Sequence, residues 1–384
     1  MNRLLLHDLL SWIDSPNRSP IILRGARQVG KTHLVRQLGQ HFEHFVEINF
    51  EKEPKLKKIF ELDLEPTRIL RELSLVVNQT IRPGKTLLFL DEVQVEPNII
   101  LALRYFYEEM NELHVIAAGS LVDFAIEQVG VPVGRVRFLY MYPMSFIEFL
   151  VALDEVALAR EIVTHKVDIP LSETVHDKAL RLLGEYMAIG GMPQAVKYWI
   201  ENKDIKACSQ ALKDIKNTYQ QDFSKYAKKH QIKYVELLFN QIPKLISQQF
   251  KYSHLSTEHR KRELEPSLLL LEKAGILHQV YYAHGSGVPL GAQADKDKFK
   301  LITLDVGLNQ AILGLDLKDW YLEPDTAFVN KGALCESFVG QEMLAYSDPF
   351  DKADLYYWQR NQRGSHAEID YLVTRSQAVV PVEV

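Results

Sequence analysis

The stretch PIILRGARQVGKTHLVRQL, near the start of the chain, limits the choice of fold more than any other part of the sequence. An apolar run from Ile21 to Leu23 leads into a glycine-containing turn, and apolar residues at helical spacing follow that turn. This order predicts a strand, a loop and a helix. The loop fits G-x-x-x-x-G-K-[ST], whose glycines let backbone N–H groups point at phosphate oxygens beside the positive end of the helix. The predicted phosphate cradle consists of Gly25, Ala26, Arg27, Gln28, Val29, Gly30, Lys31 and Thr32.

Two residues of this loop have chemistry that suits ATP with Mg²⁺. Lys31 is expected to reach the β- and γ-phosphates, and the hydroxyl of Thr32 is expected to bind the metal ion. A second segment, KTLLFLDEVQ, ends an apolar run with two acids, as expected of a buried parallel strand that delivers carboxylates at its C-terminal edge. There Asp91 is predicted to hold Mg²⁺, and Glu92 to orient or deprotonate the attacking water. A chance match or an acidic turn would explain either segment alone, but the pair favours a nucleotide site.

Further apolar segments complete a predicted sheet. HFVEINF lies near residues 44–50, LHVIAAGS ends at Ser120, and a strand is expected at about Val136 to Met141. Strands that alternate with helices in this way predict an α/β fold with a doubly wound parallel sheet. In that arrangement the hydroxyl of Ser120 would come close to the γ-phosphate.

Composition excludes several other classes of protein. The 384 residues suggest about two to three domains, and a net charge of -5 gives no overall attraction to nucleic acid. The two cysteines lie far apart without C-x-x-C spacing, which argues against disulfides and structural zinc and makes the reducing cytoplasm the default location. His7 and Asp8 interrupt the apolar N-terminus, and no other stretch approaches the ~20 apolar residues that cross a bilayer, so no membrane association is expected.

At these positions the sequence resembles the AAA+ superfamily. The phosphate loop, the LDE strand, the small polar residue after the fourth strand and GR before YPMSFIEF carry the resemblance. More narrowly, the chain resembles bacterial and archaeal AAA-type ATPases with a C-terminal restriction-endonuclease-like domain of unassigned function. The resemblance implies that Ser120 senses the γ-phosphate, that Arg135 is a sensor or trans-acting arginine, and that subunits can assemble into rings. The alternative for Arg135 is a solvated side chain, while Arg104 competes for its role or pairs with nearby acids.

The predicted P-loop AAA+ domain covers 1–150, and a helical lid or connector follows over 151–230. Within the connector, GGMPQAV breaks a helix, either as a hinge that transmits the nucleotide state or as a tight turn. Residues 231–305 are predicted to form a winged helix, from two helical segments, a strand, a glycine turn and a return strand. The basic cluster HRKRE at 259–263 would contact DNA phosphates, or else remain solvated in a module that binds protein.

The last segment, 306–384, is predicted to be an endonuclease-like α/β domain. Glu336 on a helix, Asp370 on a strand pair and Glu383 at the end of a third strand follow the order of PD-(D/E)xK nucleases. In that family, carboxylates on adjacent strands meet at one Mg²⁺ that activates water on a phosphodiester. The lysine expected two positions beyond Glu383 would follow Val384, so we expect a domain that is truncated relative to such nucleases, with a degenerate site. Two ordinary acids on apolar strands are the alternative.

Three hypotheses for the function follow from these predictions. The first is an ATP-hydrolysing switch whose nucleotide state repositions the winged-helix and endonuclease-like segments. The second is a slow ATP-binding signalling module that controls an interaction with DNA or with a protein partner. The third is an ATP-coupled nuclease, which would need a longer form of the chain.

Overall fold

The computed structural model describes residues 1–166, 168–255, 258–315, 331–362 and 365–384. These residues form two compact units. The N-terminal unit contains Met1–Met141 and Asp348–Lys352, and the C-terminal unit contains Tyr142–Ser347 and Ala353–Val384. The finer domain boundaries expected at residues 150, 230 and 305 remain predictions.

The N-terminal unit alternates strands with helices, as the sequence predicts. Its central strands are almost wholly apolar and buried, which is typical of parallel strands covered on both faces. The strands are β1 (Ile21–Arg24), β2 (His44–Asn49), β3 (Thr86–Asp91), β4 (His114–Ala118) and β5 (Arg137–Tyr140). The helices are α1 (Leu5–Ile13), α2 (Lys31–Gly39), α3 (Lys58–Leu62), α4 (Pro66–Val77), α5 (Asn98–Glu109) and α6 (Val122–Val129).

The five strands of this sheet run parallel in the order β2-β3-β4-β1-β5. The predicted α/β fold with a parallel sheet is therefore confirmed. Because parallel strands end at a common edge, their register brings together residues that are distant in the chain. Asn49 lies opposite Asp91, and Asp91 lies opposite Ala118.

One apolar core joins the sheet to α4, α5 and α6. Alternate residues of β2 and β3 contribute to it, and so do the apolar stripes of the three helices. Among its members, Leu88, Leu103 and Phe106 are at most 1% exposed. Each such side chain contributes about 1.5–3 kcal/mol by its burial, so this core fixes the strands whose ends carry the polar residues.

The C-terminal unit begins with helices. Its first helix starts with a capping box, in which the Glu148 backbone N–H donates to the Ser145 hydroxyl and the Ser145 N–H donates to the Glu148 carboxylate. None of the helices in the described ranges is long and apolar enough to span a membrane. The helices are α7 (Phe146–Ala152), α8 (Val156–Thr164), α9 (Glu173–Ile189), α10 (Pro193–Asn202), α11 (Ile205–Tyr226), α12 (Ile232–Gln241), α13 (Tyr252–Leu255), α14 (Lys261–Lys273), α15 (Val306–Leu313) and α16 (Lys331–Ala345).

The GGMP segment is a tight turn between α9 and α10. Gly190 ends α9 with φ of +77°, a left-handed conformation that favours glycine. The N–H of Gly191 donates to Asp305 Oδ2 at 2.6 Å, and a Cβ on Gly190 would lie 2.2 Å from Asp305 Oδ1. Burial raises the pKa of Asp305 to about 6, although the backbone N–H groups that donate to it act in the opposite direction. This close packing favours the turn over the hinge.

A second five-stranded sheet has the order β10-β9-β8-β6-β7. The antiparallel pair β6 and β7 follows α14, as predicted for a winged helix, and β8 to β10 are the predicted strands of the tail. Because β6 also pairs in parallel with β8, the hairpin and the tail strands belong to one sheet. The winged-helix and endonuclease-like assignments themselves stay predictions. The strands are β6 (Leu277–Ala283), β7 (Ala294–Thr303), β8 (Leu355–Gln362), β9 (Ser365–Arg375) and β10 (Ala378–Val382).

Candidate nucleotide-binding site

The loop between β1 and α2 has the backbone shape that the motif requires. Gly25 and Gly30 have φ values of +145° and +102°, both in the region that favours glycine. A Cβ on Gly25 would lie 2.3 Å from the carbonyl oxygen of Met141, so no larger residue fits there. From outside the loop, Arg3 Nη1 donates to the carbonyl oxygen of Val29 at 2.7 Å. The loop is therefore held both by its own glycines and by the N-terminal segment.

Lys31 is the first residue of α2, and its side chain lies against the loop. Its Nζ donates to the carbonyl oxygens of Gly25 and Ala26, each at 2.8 Å. Burial lowers the pKa of Lys31 to about 8, and the carboxylates of Glu92 and Asp91 oppose that shift. An ammonium fixed at the loop can donate charge-assisted hydrogen bonds to phosphate oxygens.

Thr32 and Asp91 meet at the C-terminal edge of the sheet. Thr32 Oγ1 donates to Asp91 Oδ2 at 3.2 Å, and Asn49 Nδ2 donates to the same oxygen at 3.2 Å. Burial and the neighbouring charge of Glu92 raise the pKa of Asp91, while the donors act in the opposite direction. A hydroxyl and a carboxylate are the hard oxygen ligands that suit Mg²⁺, which usually takes its other ligands from phosphates and water. The residues present therefore fit a Mg²⁺–nucleotide complex.

Glu92 follows Asp91 at the end of β3, and its backbone turns sharply there. Its φ is +58°, a left-handed conformation that is costly for a residue with a side chain. The carboxylate is half-buried, and its Oε2 accepts a hydrogen bond from Gln94 Nε2 at 2.7 Å. The carboxylate of Glu92 is thus held in place beside the pair formed by Asp91 and Thr32.

The structure separates the two other predicted catalytic residues. Ser120 lies just beyond the end of β4, at the same edge of the sheet as Asp91. Arg135 precedes β5 and so lies at the opposite edge, because the five strands of this sheet are parallel. There its Nε donates to Glu108 Oε1 at 2.9 Å, and Arg104 donates to the same carboxylate at 3.1 Å. The pairing of Arg104 with a nearby acid agrees with the alternative considered for it.

Three residues of the site are not among those predicted from the sequence. Asn49 is the last residue of β2 and joins the site because its strand pairs with β3. Gln94 follows the two acids, but the pattern does not show that its amide contacts Glu92. Arg3 reaches the loop from a segment that the motif does not include. For Asn49, a polar residue directly after an apolar strand is the signal that would have suggested a place at this edge.

In the C-terminal unit, two of the three predicted tail acids surround a buried lysine. Lys300, on β7, is 1% exposed, and its Nζ lies 2.8 Å from Glu336 Oε1 and 3.7 Å from Asp370 Oδ1. Glu368, on β9, also forms an ion pair with Lys300. Burial raises the pKa of Glu336 to about 7, and the charge of Lys300 opposes the rise. The third predicted acid, Glu383, is exposed beyond β10.

This charge cluster, formed by Lys300, Glu336, Glu368 and Asp370, differs from the predicted metal site. Within the described ranges, no group of three or more His, Cys, Asp or Glu side chains could hold a metal ion. Instead, the ammonium of Lys300 lies among the carboxylates. The sequence shows Lys300 only as a single charge within the apolar strand FKLIT, and nothing in the pattern relates it to acids far along the chain.

The parallel sheet, with the glycine loop, Thr32 and Asp91 at one edge, defines a P-loop nucleotide-binding domain. Residues 17–150 match the family described as "AAA domain". Residues 180–319 and 331–384 match two families described as domains of unknown function, DUF8612 and DUF4143. The N-terminal unit therefore contains an ATP-binding domain of the AAA type.

The solved structures that are similar to the chain include two that bear on its fold to different degrees. The Walker-type ATPase paby2304 of Pyrococcus abyssi is 14% identical with a TM-score of 0.50, and the match covers 80% of this chain and 94% of that one. The structure of PCH-2 from C. elegans is 13% identical, with a TM-score of 0.25 and coverage of 47% and 58%, and supports no conclusion. None of the curated proteins compared with the chain matches it. The likeness to the Pyrococcus protein shows a shared fold.

Proposed function

We propose that the protein is a Mg²⁺-dependent ATPase whose nucleotide state acts as a switch for its C-terminal unit. The observation that carries the proposal is the meeting of Lys31, Thr32, Asp91 and Glu92 at one edge of the sheet. The match of residues 17–150 to an AAA domain supports it. When bound there, Mg²⁺ would neutralise charge on the phosphates.

The residues of the site have separate tasks in this proposal. Lys31 donates hydrogen bonds to the β- and γ-phosphate oxygens and stabilises the negative charge that spreads over them. Thr32 and Asp91 hold the metal ion through oxygen atoms. Glu92 accepts a proton from the attacking water, a role that contributes about 10²–10⁴-fold in rate. Ser120, just beyond β4, donates its hydroxyl to the γ-phosphate.

Lys31→Ala tests the proposal, with Lys55→Ala as the matched control because Lys55 is exposed in the same unit. We expect Lys31→Ala to abolish tight binding of a fluorescent ATP analogue and to lower ATP turnover by about 100-fold or more, since the ammonium and its charge are lost. Glu92→Gln should keep nucleotide binding and lose turnover. Full turnover by purified Lys31→Ala would refute the proposal.

The alternative of a slow signalling module predicts a different result for the unaltered protein. In that case ATP binds tightly, but turnover is no faster than hydrolysis in solution. A single measurement of the wild-type rate beside a nucleotide titration separates the two functions.

A catalytic role for Arg135 would require a second subunit. Arg135 lies at the edge of the sheet opposite the phosphate loop, where Glu108 neutralises it. Specific activity that rises with protein concentration and falls in Arg135→Ala would support such an assembly. Arg104→Ala is the control, because Arg104 pairs with the same carboxylate.

Contact of the winged-helix segment with DNA is a further proposal. It rests on the exposed Arg260 and Arg262 at the start of α14. Lys261 lies 3.3 Å from Asp297 and 3.4 Å from Glu265, so acids already neutralise part of its charge. The double variant Arg260→Ala/Arg262→Ala should reduce the salt dependence of duplex binding by about two counterions, measured by fluorescence anisotropy. If the wild-type protein binds no duplex DNA, this proposal is wrong, and a protein partner is the alternative for this segment.

For the tail we propose a binding or structural role without nuclease activity. The observation that supports this is the ion pair of Lys300 with Glu336 and Glu368, which places an ammonium among the acids. DNA cleavage that requires Mg²⁺ and is lost in Asp370→Ala would refute this proposal and support the ATP-coupled nuclease.

A further inference from the structure

The side chain of Gln94 connects Glu92 to the end of β4. Gln94 lies in a short 3₁₀ turn, Val93–Val95, that directly follows the two acids. Its Nε2 donates to Glu92 Oε2 at 2.7 Å. Its Oε1 is buried without a hydrogen-bond partner among the described residues, and a Cβ on Gly119 would lie 2.1 Å from that oxygen. The amide of Gln94 therefore fills the space between the carboxylate of Glu92 and the backbone of Gly119.

Two features of this arrangement are unfavourable for folding. The left-handed backbone of Glu92 is strained for a residue with a side chain. The buried Gln94 Oε1 loses its hydrogen bonds to water and gains no partner among the described residues. Costs of this kind concentrate at active sites, where the surrounding structure imposes a geometry that the chemistry needs.

The geometry also shows what the amide does for Glu92. A hydrogen bond from an N–H to an ionised carboxylate is short and directional, so it fixes the carboxylate orientation. Gln94 can turn its Nε2 towards Glu92 only while its Oε1 has room beside Gly119, because the two atoms belong to one planar group. The absence of a side chain at residue 119 is therefore a condition for the hydrogen bond to Glu92.

We propose that Gln94 is a positioning residue, whose amide holds the Glu92 carboxylate towards the water that Glu92 deprotonates, and that Gly119 sets the position of this amide. The proposal rests on the proposed ATPase function. It also provides a route from β4 to Glu92, because Ser120 directly follows Gly119. A change in the position of that strand end alters the space available to Gln94 and, through it, the orientation of Glu92.

Gln94→Met is the first test, because methionine keeps the length of the side chain and removes the donor. We expect kcat for ATP hydrolysis to fall by roughly 10- to 100-fold, since misplacement of a general base by about 1 Å has effects of this size. The KM for ATP and the Kd for a non-hydrolysable ATP analogue should stay within about twofold, as Gln94 makes no contact with the phosphate loop in this proposal. Gln128→Met, an exposed change in α6, is the matched control.

Double variants separate a positioning role from a merely structural one. In a Glu92→Gln background, Gln94→Met should cause no further loss of kcat, because both changes remove the same contribution. Gly119→Ala should lower kcat as Gln94→Met does. In a Gln94→Ala background, Gly119→Ala should cause no further loss of kcat, because the amide that would clash is gone. Additive losses in either pair, or a kcat of Gln94→Met within twofold of wild type, would overturn the inference.

The failure of this inference can be told apart from failure of the ATPase proposal. If Glu92→Gln retains turnover, the proposed role of Glu92 is wrong, and the role of Gln94 is wrong with it. If Glu92→Gln loses turnover while Gln94→Met retains it, only the inference about Gln94 is wrong. Loss of nucleotide binding in Gln94→Met would also count against the inference.

Discussion

Replacement of Lys300 by methionine tests whether the charge cluster of the tail is structural. The side chain of Lys300 is 1% exposed and that of Glu336 is 11% exposed, so neither charge is well solvated. Methionine has nearly the same length and volume, and a cavity should therefore add little to the effect. What changes is that Glu336, Glu368 and Asp370 lose their neutralising ammonium.

We expect Lys300→Met to lower the free energy of unfolding by about 3–5 kcal/mol, the usual cost of removing one partner from a buried ion pair. The loss should depend on pH. Burial already raises the pKa of Glu336 to about 7, and removal of Lys300 raises this pKa further. A carboxyl group whose pKa is raised in the folded state binds more protons there, so stability falls as pH rises towards that pKa. The difference from wild type should therefore be larger at pH 8 than at pH 6, by about 1 kcal/mol.

The assay is urea unfolding at both pH values, with hydrogen exchange of β8 and β9 as a local measure of stability in the C-terminal unit. Lys298→Met is the control, because Lys298 lies on the same strand and pairs with Asp295 at 2.9 Å but is 53% exposed. That variant should change stability by less than about 1 kcal/mol. Adding Glu336→Gln to Lys300→Met should recover part of the loss, because it removes a buried charge. A loss below about 1 kcal/mol that is equal at both pH values would refute a structural role for the cluster.

Three further predictions concern backbone and pH effects. Gly25→Ala should abolish binding of a fluorescent ATP analogue, because the φ of +145° strains any side chain and the Cβ would clash with backbone; unchanged affinity would contradict this. Burial lowers the pKa of His114 to about 4. As pH falls from 6.5, the imidazole therefore takes up a proton in the unfolded chain before it does so in the folded protein, and the free energy of unfolding decreases. His114→Phe should therefore reduce the change of the urea unfolding midpoint with pH. Gly190→Ala should cost at least about 2 kcal/mol because of its clash with Asp305 and its left-handed backbone. Gly184→Ala, in open space within α9, should be neutral or slightly stabilising, and equal effects of the two changes would refute the close packing at Asp305.

Much of the nucleotide site can be predicted because its signals are local. The loop from Gly25 to Thr32 is contiguous, and its glycines are required because the backbone has positive φ angles at these positions. Asp91 and Glu92 end a strand whose apolar run has no other plausible place than the centre of a sheet. Neither prediction depends on the order of the strands in the sheet.

The tail shows the opposite case. The order of acids along the chain predicts Glu336, Asp370 and Glu383 as one group, but the structure brings only the first two to the charge cluster. Lys300 comes from a hairpin outside the predicted tail domain, because β6 pairs with β8 and so joins the two segments in one sheet. A strand pairing of this kind depends on competition among all edges in the folded unit, and no short pattern encodes it.

The sequence alone predicts the parallel-sheet nucleotide domain, its phosphate loop and its two acids, because their signals lie in short contiguous segments. The folded structure is needed to show that Asn49 contacts Asp91, that Gln94 lies between Glu92 and Gly119, and that Lys300 neutralises acids of the tail. These contacts depend on strand register and on packing to within an ångström or two. The hydrophobic pattern of a sequence states which residues are buried, but it does not state which buried polar atoms will meet.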